Sequence, residues 1–172
     1  MNKMMIRPVL AKDAGAIASI YNHYIEHSTI SFEEAPVSSD EMAQRIGKVL
    51  TANLPWLVNE SDGQVTGYAY ATKWSERSAY RFTAESTVYV AHTESRKGIG
   101  RSLYKALLSQ LKRQSIHNVI AGIALPNEAS ERLHEQFNFR KSGEFRQIGY
   151  KFGRWINVAY WQLETREPFD GI

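Results

Sequence analysis

Thr87-Val88-Tyr89-Val90-Ala91-His92-Thr93-Glu94-Ser95-Arg96-Lys97-Gly98-Ile99-Gly100-Arg101-Ser102-Leu103 passes from a β-branched and aromatic stretch, through a basic turn punctuated by glycine, into a segment with helical spacing. Strand, turn and helix in that order make an anion site. Gly98 and Gly100 let the backbone come close to a ligand, and the first N–H groups of the following helix have no partner inside it. Arg96, Lys97 and Arg101 add full charges to those dipoles, so the expected occupant is a phosphate or pyrophosphate.

Spacing separates the kinds of phosphate turn. A P-loop needs Gly-x-x-x-x-Gly-Lys-Ser/Thr, and no such run exists. A dinucleotide fingerprint needs a third glycine where Leu103 stands, and an acidic residue ending a second strand about twenty residues later. Both are missing. Downstream, Val119-Ile120-Ala121-Gly122-Ile123-Ala124-Leu125 is an apolar run of strand length, followed by Pro126-Asn127-Glu128-Ala129-Ser130-Glu131-Arg132-Leu133-His134-Glu135-Gln136-Phe137-Asn138-Phe139. Helical spacing puts Asn127, Ser130 and His134 on one face and leaves Ala129, Leu133 and Phe137 for the core.

The two segments together resemble the cofactor half of the GNAT acyltransferases. Ser95-Arg96-Lys97-Gly98-Ile99-Gly100 is similar to that family's Gln/Arg-x-x-Gly-x-Gly/Ala, with Ser95 departing from the first position. Residues 127–139 are similar to its Asn-x-x-Ala/Ser-x-x-x-Tyr-x-x-x-Gly-Phe, with His134 at the tyrosine and Asn138 at the glycine. Asn also tolerates the left-handed conformation a helix end needs. Further segments resemble the phosphinothricin N-acetyltransferases and their relatives acting on methionine sulfoximine or sulfone. These are Asn22-His23-Tyr24-Ile25-Glu26, Pro55-Trp56-Leu57-Val58, Thr83-Ala84-Glu85-Ser86-Thr87-Val88-Tyr89-Val90, Leu125-Pro126-Asn127, Arg132-Leu133-His134-Glu135 and Gly149-Tyr150-Lys151-Phe152-Gly153-Arg154-Trp155. The likeness covers nearly the whole chain.

The resemblance implies an α/β (α+β) fold: one domain over residues 1–172, with a mixed central sheet of about seven strands, helices on both faces and a splayed central strand. It implies acetyl-CoA as cosubstrate and the α-amine of a small amino acid analogue as acceptor. Another amine (a polyamine, an aminoglycoside or a protein N-terminus) stays open, as does a CoA-binding module without turnover. Retention of both Glu85 and His134 argues against the last. The implied cofactor contacts are the turn Arg96, Lys97, Gly98, Ile99, Gly100 and Arg101, together with Asn127 and Ser130. The backbone of Val88, Tyr89 and Val90 would polarise the acetyl carbonyl. His134 would be the acid for the departing thiolate or relay the amine proton. The acceptor pocket would draw on Phe32, on Ser78, Ala79, Tyr80 and Arg81, with Arg81 meeting a carboxylate, and on Lys151. A homodimer is expected, sharing the apolar hairpin around Trp155, Val158, Tyr160 and Trp161.

Glu85 also has a reading of its own. A carboxylate flanked by Ala84, Ser86, Val88 and Val90 on a central strand is desolvated, which disfavours its charged form and moves it toward general-base strength near neutrality. Position alone leaves a solvated or salt-bridged Glu at a sheet end open; the resemblance implies that Glu85 takes the amine proton directly or through a water.

Composition bounds the rest. The 172 residues are 43% hydrophobic, enough for one core, and hold no cysteine, so neither a disulfide framework nor a thiol nucleophile is available. The net charge is +3, with the positive residues scattered outside the glycine turn, so no nucleic-acid partner is expected. Residues 1–8 lack the apolar core of a signal peptide and no run reaches membrane-span length, which points to a cytoplasmic protein without a membrane partner. Histidines and carboxylates show no ligand spacing, so no metal is expected.

Periodicity places the elements. Residues 4–9 are an edge strand, and Ile17, Ile20, Tyr21, Tyr24 and Ile25 stripe a helix. A capping box at Ser38 and Glu41 opens a second helix with a buried stripe of Met42, Ile46, Val49 and Leu50. Residues 28–36 between them form an irregular loop on the substrate side. Residues 56–59 and 65–72 form a hairpin about 61–63, and 82–91 are the central strand. Ile99, Leu103, Leu107 and Leu111 stripe the third helix, and 141–151 pairs with 155–163 about 152–154. Residues 167–172 are expected to fray.

Overall fold

The computed structural model describes residues 4–165, so the expected fraying tail lies outside the described residues. One seven-stranded sheet in the order β1-β2-β3-β4-β5-β7-β6 carries the chain. Its strands are β1 (Met5–Pro8), β2 (Trp56–Ser61), β3 (Gln64–Lys73), β4 (Thr83–Val90), β5 (Asn118–Ala124), β6 (Arg140–Lys151) and β7 (Arg154–Glu164). Helices α1 (Ala14–His27) and α2 (Ser39–Thr51) precede β2; α3 (Ile99–Arg113) links β4 to β5, and α4 (Glu128–Gln136) links β5 to β6. All pairings are antiparallel except β4 with β5, which are parallel and joined through α3.

Alternation along β3 separates the two faces. A Cβ at Gly67 would meet Ile99 and Leu103 of α3 at 3.1 Å, whereas Tyr68, next along the strand, packs on Tyr89, which meets Tyr21 and Tyr24 of α1. Helix α3 therefore covers one face and α1 the other. The α3 stripe behaves as expected, with Ile99, Leu103, Leu107 and Leu111 all buried. Two stripes are corrected. Leu50 turns outward and is exposed, because three residues (Met42, Ile46, Val49) already fill the buried arc of α2. In α4 Ala129 is exposed while Leu133 and Phe137 are partly buried, and the residue turned fully inward is His134.

Local signals fix the boundaries. Ser38 Oγ accepts the Glu41 N–H at 3.1 Å and starts α2, and Asn127 Oδ1 accepts from the Ser130 N–H at 3.2 Å and starts α4. The β2–β3 turn has Asp62 and Gly63 at φ 51° and 79°, and the β6–β7 turn has Phe152 and Gly153 at 52° and 72°, the paired left-handed residues of tight hairpins.

The break between β4 and β5 decides where a ligand can go. These strands pair only at Thr83, Ala84 and Glu85, against Asn118, Val119 and Ile120. Beyond Ile120, β5 stays with β7 as far as Ala124, while β4 stays with β3 as far as Val90. The central strand is splayed, as the sequence implied.

Candidate active site

The glycine turn is built from backbone. Arg96 and Gly98 take left-handed φ values of 64° and 78°, and Gly98 is the residue before α3, with no side chain capping the helix. The α3 ladder begins with Ser102 N–H donating to Gly98 O, so the N–H groups of Ile99, Gly100 and Arg101 are left for a ligand. A Cβ at Gly98 would meet nothing within 4 Å, and one at Gly100 only Val90 at 3.5 Å, so both glycines open onto clear space. Lys97 pairs with Glu94 at 2.9 Å. The donor set and positive charge suit a pyrophosphate.

The gap between the strands lies beside this turn. Trp74 N–H donates to Thr83 O, and Ala91 N–H to Thr66 O, which fixes the backbone of odd-numbered β4 residues toward β3. The N–H groups of the even-numbered residues, Val88 and Val90, therefore face the splay. Tyr89 pairs with Tyr68 and is corrected out of the donor set; alternation allows only every second residue to face the gap.

A cavity of about 280 Å³ occupies the splay, and its walls include Tyr21, Phe32, Tyr70, Glu85, Gly122 and His134. Val88, Tyr89, Asn127 and Ser130 also border it. Glu85 is on the α1 side. Burial raises its pKa, and no charged neighbour opposes that shift. Gly122 makes room for it, since a Cβ there would stand 3.8 Å from Glu85 Oε1 and 3.3 Å from Tyr160.

His134 comes from the opposite face and is only 4% exposed. Its Nδ1 lies 2.7 Å from Ser130 O, which can only accept, so Nδ1 carries a hydrogen. Its Nε2 lies 2.8 Å from the Tyr104 hydroxyl, itself 2.6 Å from Ser86 Oγ. Burial pushes the imidazole pKa down, and the Ser130 carbonyl pushes it partly back. With both nitrogens engaged, His134 does not present an N–H to the cavity. Of its two expected roles, direct acid or relay, this placement speaks against the first, since His134 is one end of a buried chain. Tyr104 and Ser86 were not anticipated, although the positions of Tyr104 and Leu108, each one past the leucine stripe, widen the buried arc of α3.

The 28–38 loop is held at many points. Tyr21 OH donates to Glu33, Arg45 forks onto the same carboxylate at 2.6 and 3.0 Å, and Asn22 bonds both the N–H and the C=O of Val37. Lys151 is 2% exposed, and its Nζ donates to Ile25 O and Ser31 O, each at 2.7 Å. That corrects its expected role. It ties the end of α1 to the loop instead of meeting a substrate, because the ammonium reaches one carbonyl of the last α1 turn and one of the loop. Phe32 reaches the cavity from this loop and lies against Gly149 of β6.

Ser78, Ala79, Tyr80 and Arg81 are not brought to Glu85. Ser78, Tyr80 and Arg81 line a separate cavity with Lys73, Glu76 and Asn53, and Arg81 contacts Ser78 O and the Phe82 ring. The turn is pinned away from the splay because His117 and Asn118 N–H groups hold Phe82 O. Among the described residues no group of histidines and carboxylates could hold a metal, and no helix is long and apolar enough to cross a membrane.

A splayed mixed sheet with an anion-binding turn at the end of its central strand is the architecture of an acyltransferase. The family model for the acetyltransferase (GNAT) domain matches residues 6–159, and the chain belongs to that family. It is 44% identical over 163 residues to a phosphinothricin N-acetyltransferase of Streptomyces viridochromogenes, covering 95% of this chain and 88% of that one. It is 35% identical to an L-methionine sulfoximine/L-methionine sulfone acetyltransferase of Salmonella typhimurium, covering 95% and 96%. A solved phosphinothricin acetyltransferase of Sinorhizobium meliloti, in complex with AcCoA, superposes with a TM-score of 0.91 at 30% identity, covering 98% and 95%.

Proposed function

We propose that this acyltransferase moves the acetyl group of acetyl-CoA to the α-amine of a small amino acid analogue of the phosphinothricin, methionine sulfoximine or methionine sulfone kind. The observation that carries the proposal is the small cavity in the splay, with a desolvated Glu85 on one side and backbone donors on the other. Residues 96–101 would take the pyrophosphate, and Val88 and Val90 N–H would hydrogen-bond along the splay. Acetyl-CoA supplies the activated acyl thioester. Glu85, kept partly protonatable by burial, takes the proton of the amine, and Tyr21, Phe32 and Tyr70 exclude water from it. A cavity of about 280 Å³ suits an amino acid better than an aminoglycoside or a folded N-terminus.

The proposal includes a homodimer, with one correction to the expected surface. Val158 and Trp161 are buried, while Phe145, Ile148, Tyr150, Phe152 and Trp155 are the exposed large apolar residues of the same hairpin, with Tyr150 and Trp155 paired across it. Such a concentration of exposed aromatics is the mark of an interaction surface.

The test is an acceptor screen at saturating acetyl-CoA, read by thiol release. Phosphinothricin, methionine sulfoximine and methionine sulfone should outrun spermidine, kanamycin and a model peptide. A larger rate with any of the latter three refutes the acceptor class, and no thiol release with any amine leaves only a CoA-binding module.

A further inference from the structure

We infer that Ser86, Tyr104 and His134 form a reversible proton relay, with Ser86 Oγ as its opening to the cavity and His134 as its store. The inference deepens the acetyltransfer reading and rests on it for its purpose, though not for its geometry.

The chain of atoms is Ser86 Oγ, Tyr104 OH and His134 Nε2, spaced 2.6 and 2.8 Å, all three residues being buried. Because Nδ1–H is committed to Ser130 O, a neutral imidazole has Nε2 as an acceptor. Tyr104 then donates to Nε2, and Ser86 donates to Tyr104. Every hydrogen in the chain points toward His134.

Addition of one proton reverses it. A proton arriving at Ser86 Oγ displaces the serine hydrogen to Tyr104, and the tyrosine hydrogen passes to Nε2. The chain then reads His134 to Tyr104 to Ser86, and the serine hydrogen points to the cavity or to Ile120 O, 3.4 Å away. Three O–H or N–H bonds form and two O–H bonds break, the third bond broken being that of the donor in the cavity. No buried donor loses its acceptor in either state. That is the feature that lets a buried histidine gain a charge, since an unpaired buried polar group is costly.

Both ends have a place in the reaction. Ser86 borders the cavity holding Glu85, where the amine gives up a proton and the departing sulfur needs one. His134 cannot meet either directly, because both of its nitrogens are taken. The groups packed on it are Tyr104, Phe139 and Ser130, with Glu85 across the cavity the one carboxylate sharing its walls. Tyr104 is thus a positioning and relay residue, wholly buried behind the residues that border the cavity.

The experiment is a histidine NMR titration of the full chain without substrates, with His134 assigned through His134→Gln. It is joined to kcat against pH for Tyr104→Phe, Ser86→Ala and Ser86→Thr. The parent should show His134 titrating below the ordinary histidine value. Tyr104→Phe, which keeps the ring and removes the acceptor of the imidazolium, should lower that midpoint by about one pH unit or more and move the acid limb of kcat with it. Ser86→Ala should cut kcat on the order of 10²-fold with little change in KM, and Ser86→Thr, which keeps the hydroxyl, should restore most of it.

An unmoved midpoint in Tyr104→Phe overturns the relay, as does near-parental turnover in Ser86→Ala or a His134 that never protonates between pH 4.5 and 8. A parent without acetyltransfer whose His134 midpoint still shifts in Tyr104→Phe leaves the relay standing and removes the proposed function. Melting curves of all these variants separate these outcomes from unfolding.

Discussion

Gly149→Ala is a one-carbon test of the acceptor site, since it touches neither the glycine turn nor Glu85. An added Cβ would stand 2.5 Å from Phe32 Cζ and 3.0 Å from Cδ2, and closer still to Cε2. Carbon atoms in contact need about 3.5–4.0 Å, so the Phe32 ring must move by more than about 1 Å. It can do so without wrecking the fold, because it is 42% exposed and Gly149 has no left-handed φ to strain. The stability change should stay within about 1 kcal/mol. Catalysis should suffer more. A displacement of that size at a positioning group costs on the order of 10²-fold, so acceptor kcat/KM should fall by roughly 10- to 100-fold. The KM for acetyl-CoA should be unaltered, as the turn at 96–101 is elsewhere. Steady-state thiol release with each substrate varied in turn gives both numbers. Phe32→Ala supplies the control, because in its background Gly149→Ala has no ring to push and should add nothing. Parental acceptor kinetics for Gly149→Ala, or equal losses with and without Phe32, would refute the placement of Phe32 at the acceptor.

Other perturbations address the remaining parts. Gly98→Val puts a branched residue at φ 78°, so acetyl-CoA affinity measured by calorimetry should fall at least tenfold; parental affinity would place the cofactor elsewhere. Glu85 has its pKa raised by burial, so the parent's kcat/KM should climb with pH through an ionisation above the ordinary carboxylate value of 4.5. Glu85→Gln should abolish that limb and cost on the order of 10²–10⁴-fold, while a retained limb assigns it to another group. Lys151→Met removes two bonds from a charged donor and should lower stability by roughly 2–4 kcal/mol in urea titrations while raising acceptor KM; a loss in stability alone would mean the loop does not shape the site. Light scattering at micromolar concentration should give twice the chain mass, and Trp155→Glu should give the single chain mass.

The turn and the α3 stripe are legible in the sequence because their physics is local. Gly98 precedes the helix it opens, and Ile99, Leu103, Leu107 and Leu111 are three or four residues apart, so periodicity alone buries them. Ser38 and Asn127 announce their helices for the same reason. What escaped depends on segments distant along the chain. Lys151 lies 126 residues from Ile25 and 120 from Ser31, and nothing in its neighbours tells a strut from a ligand. Gly122 and Gly149 are unremarkable glycines in strand patterns until Glu85 and Phe32 are seen above them. His134 was found by position, yet its exposure was misjudged, because an Asn127–Ser130–His134 face could turn either way until Tyr104 came opposite it.

The splay leaves an edge of β4 that a ligand could pair with. When β4 and β5 part after Glu85 and Ile120, both strands lose carbonyl and N–H partners at once. Two carbonyls have a hydroxyl beside them: Tyr24 OH donates to Val90 O, and Ser86 Oγ lies 3.4 Å from Ile120 O. Tyrosine and serine hydroxyls can donate to carbonyls, but the β4 N–H groups need acceptors, and the acidic side chain nearest in β4, Glu85, projects on the strand's other register. Alternation turns both the N–H and the C=O of Val88 to the gap, so the open edge of β4 offers donors and acceptors alike. An amide-bearing arm, which carries both N–H and C=O, would complete the sheet that the two strands leave open if it lay along β4.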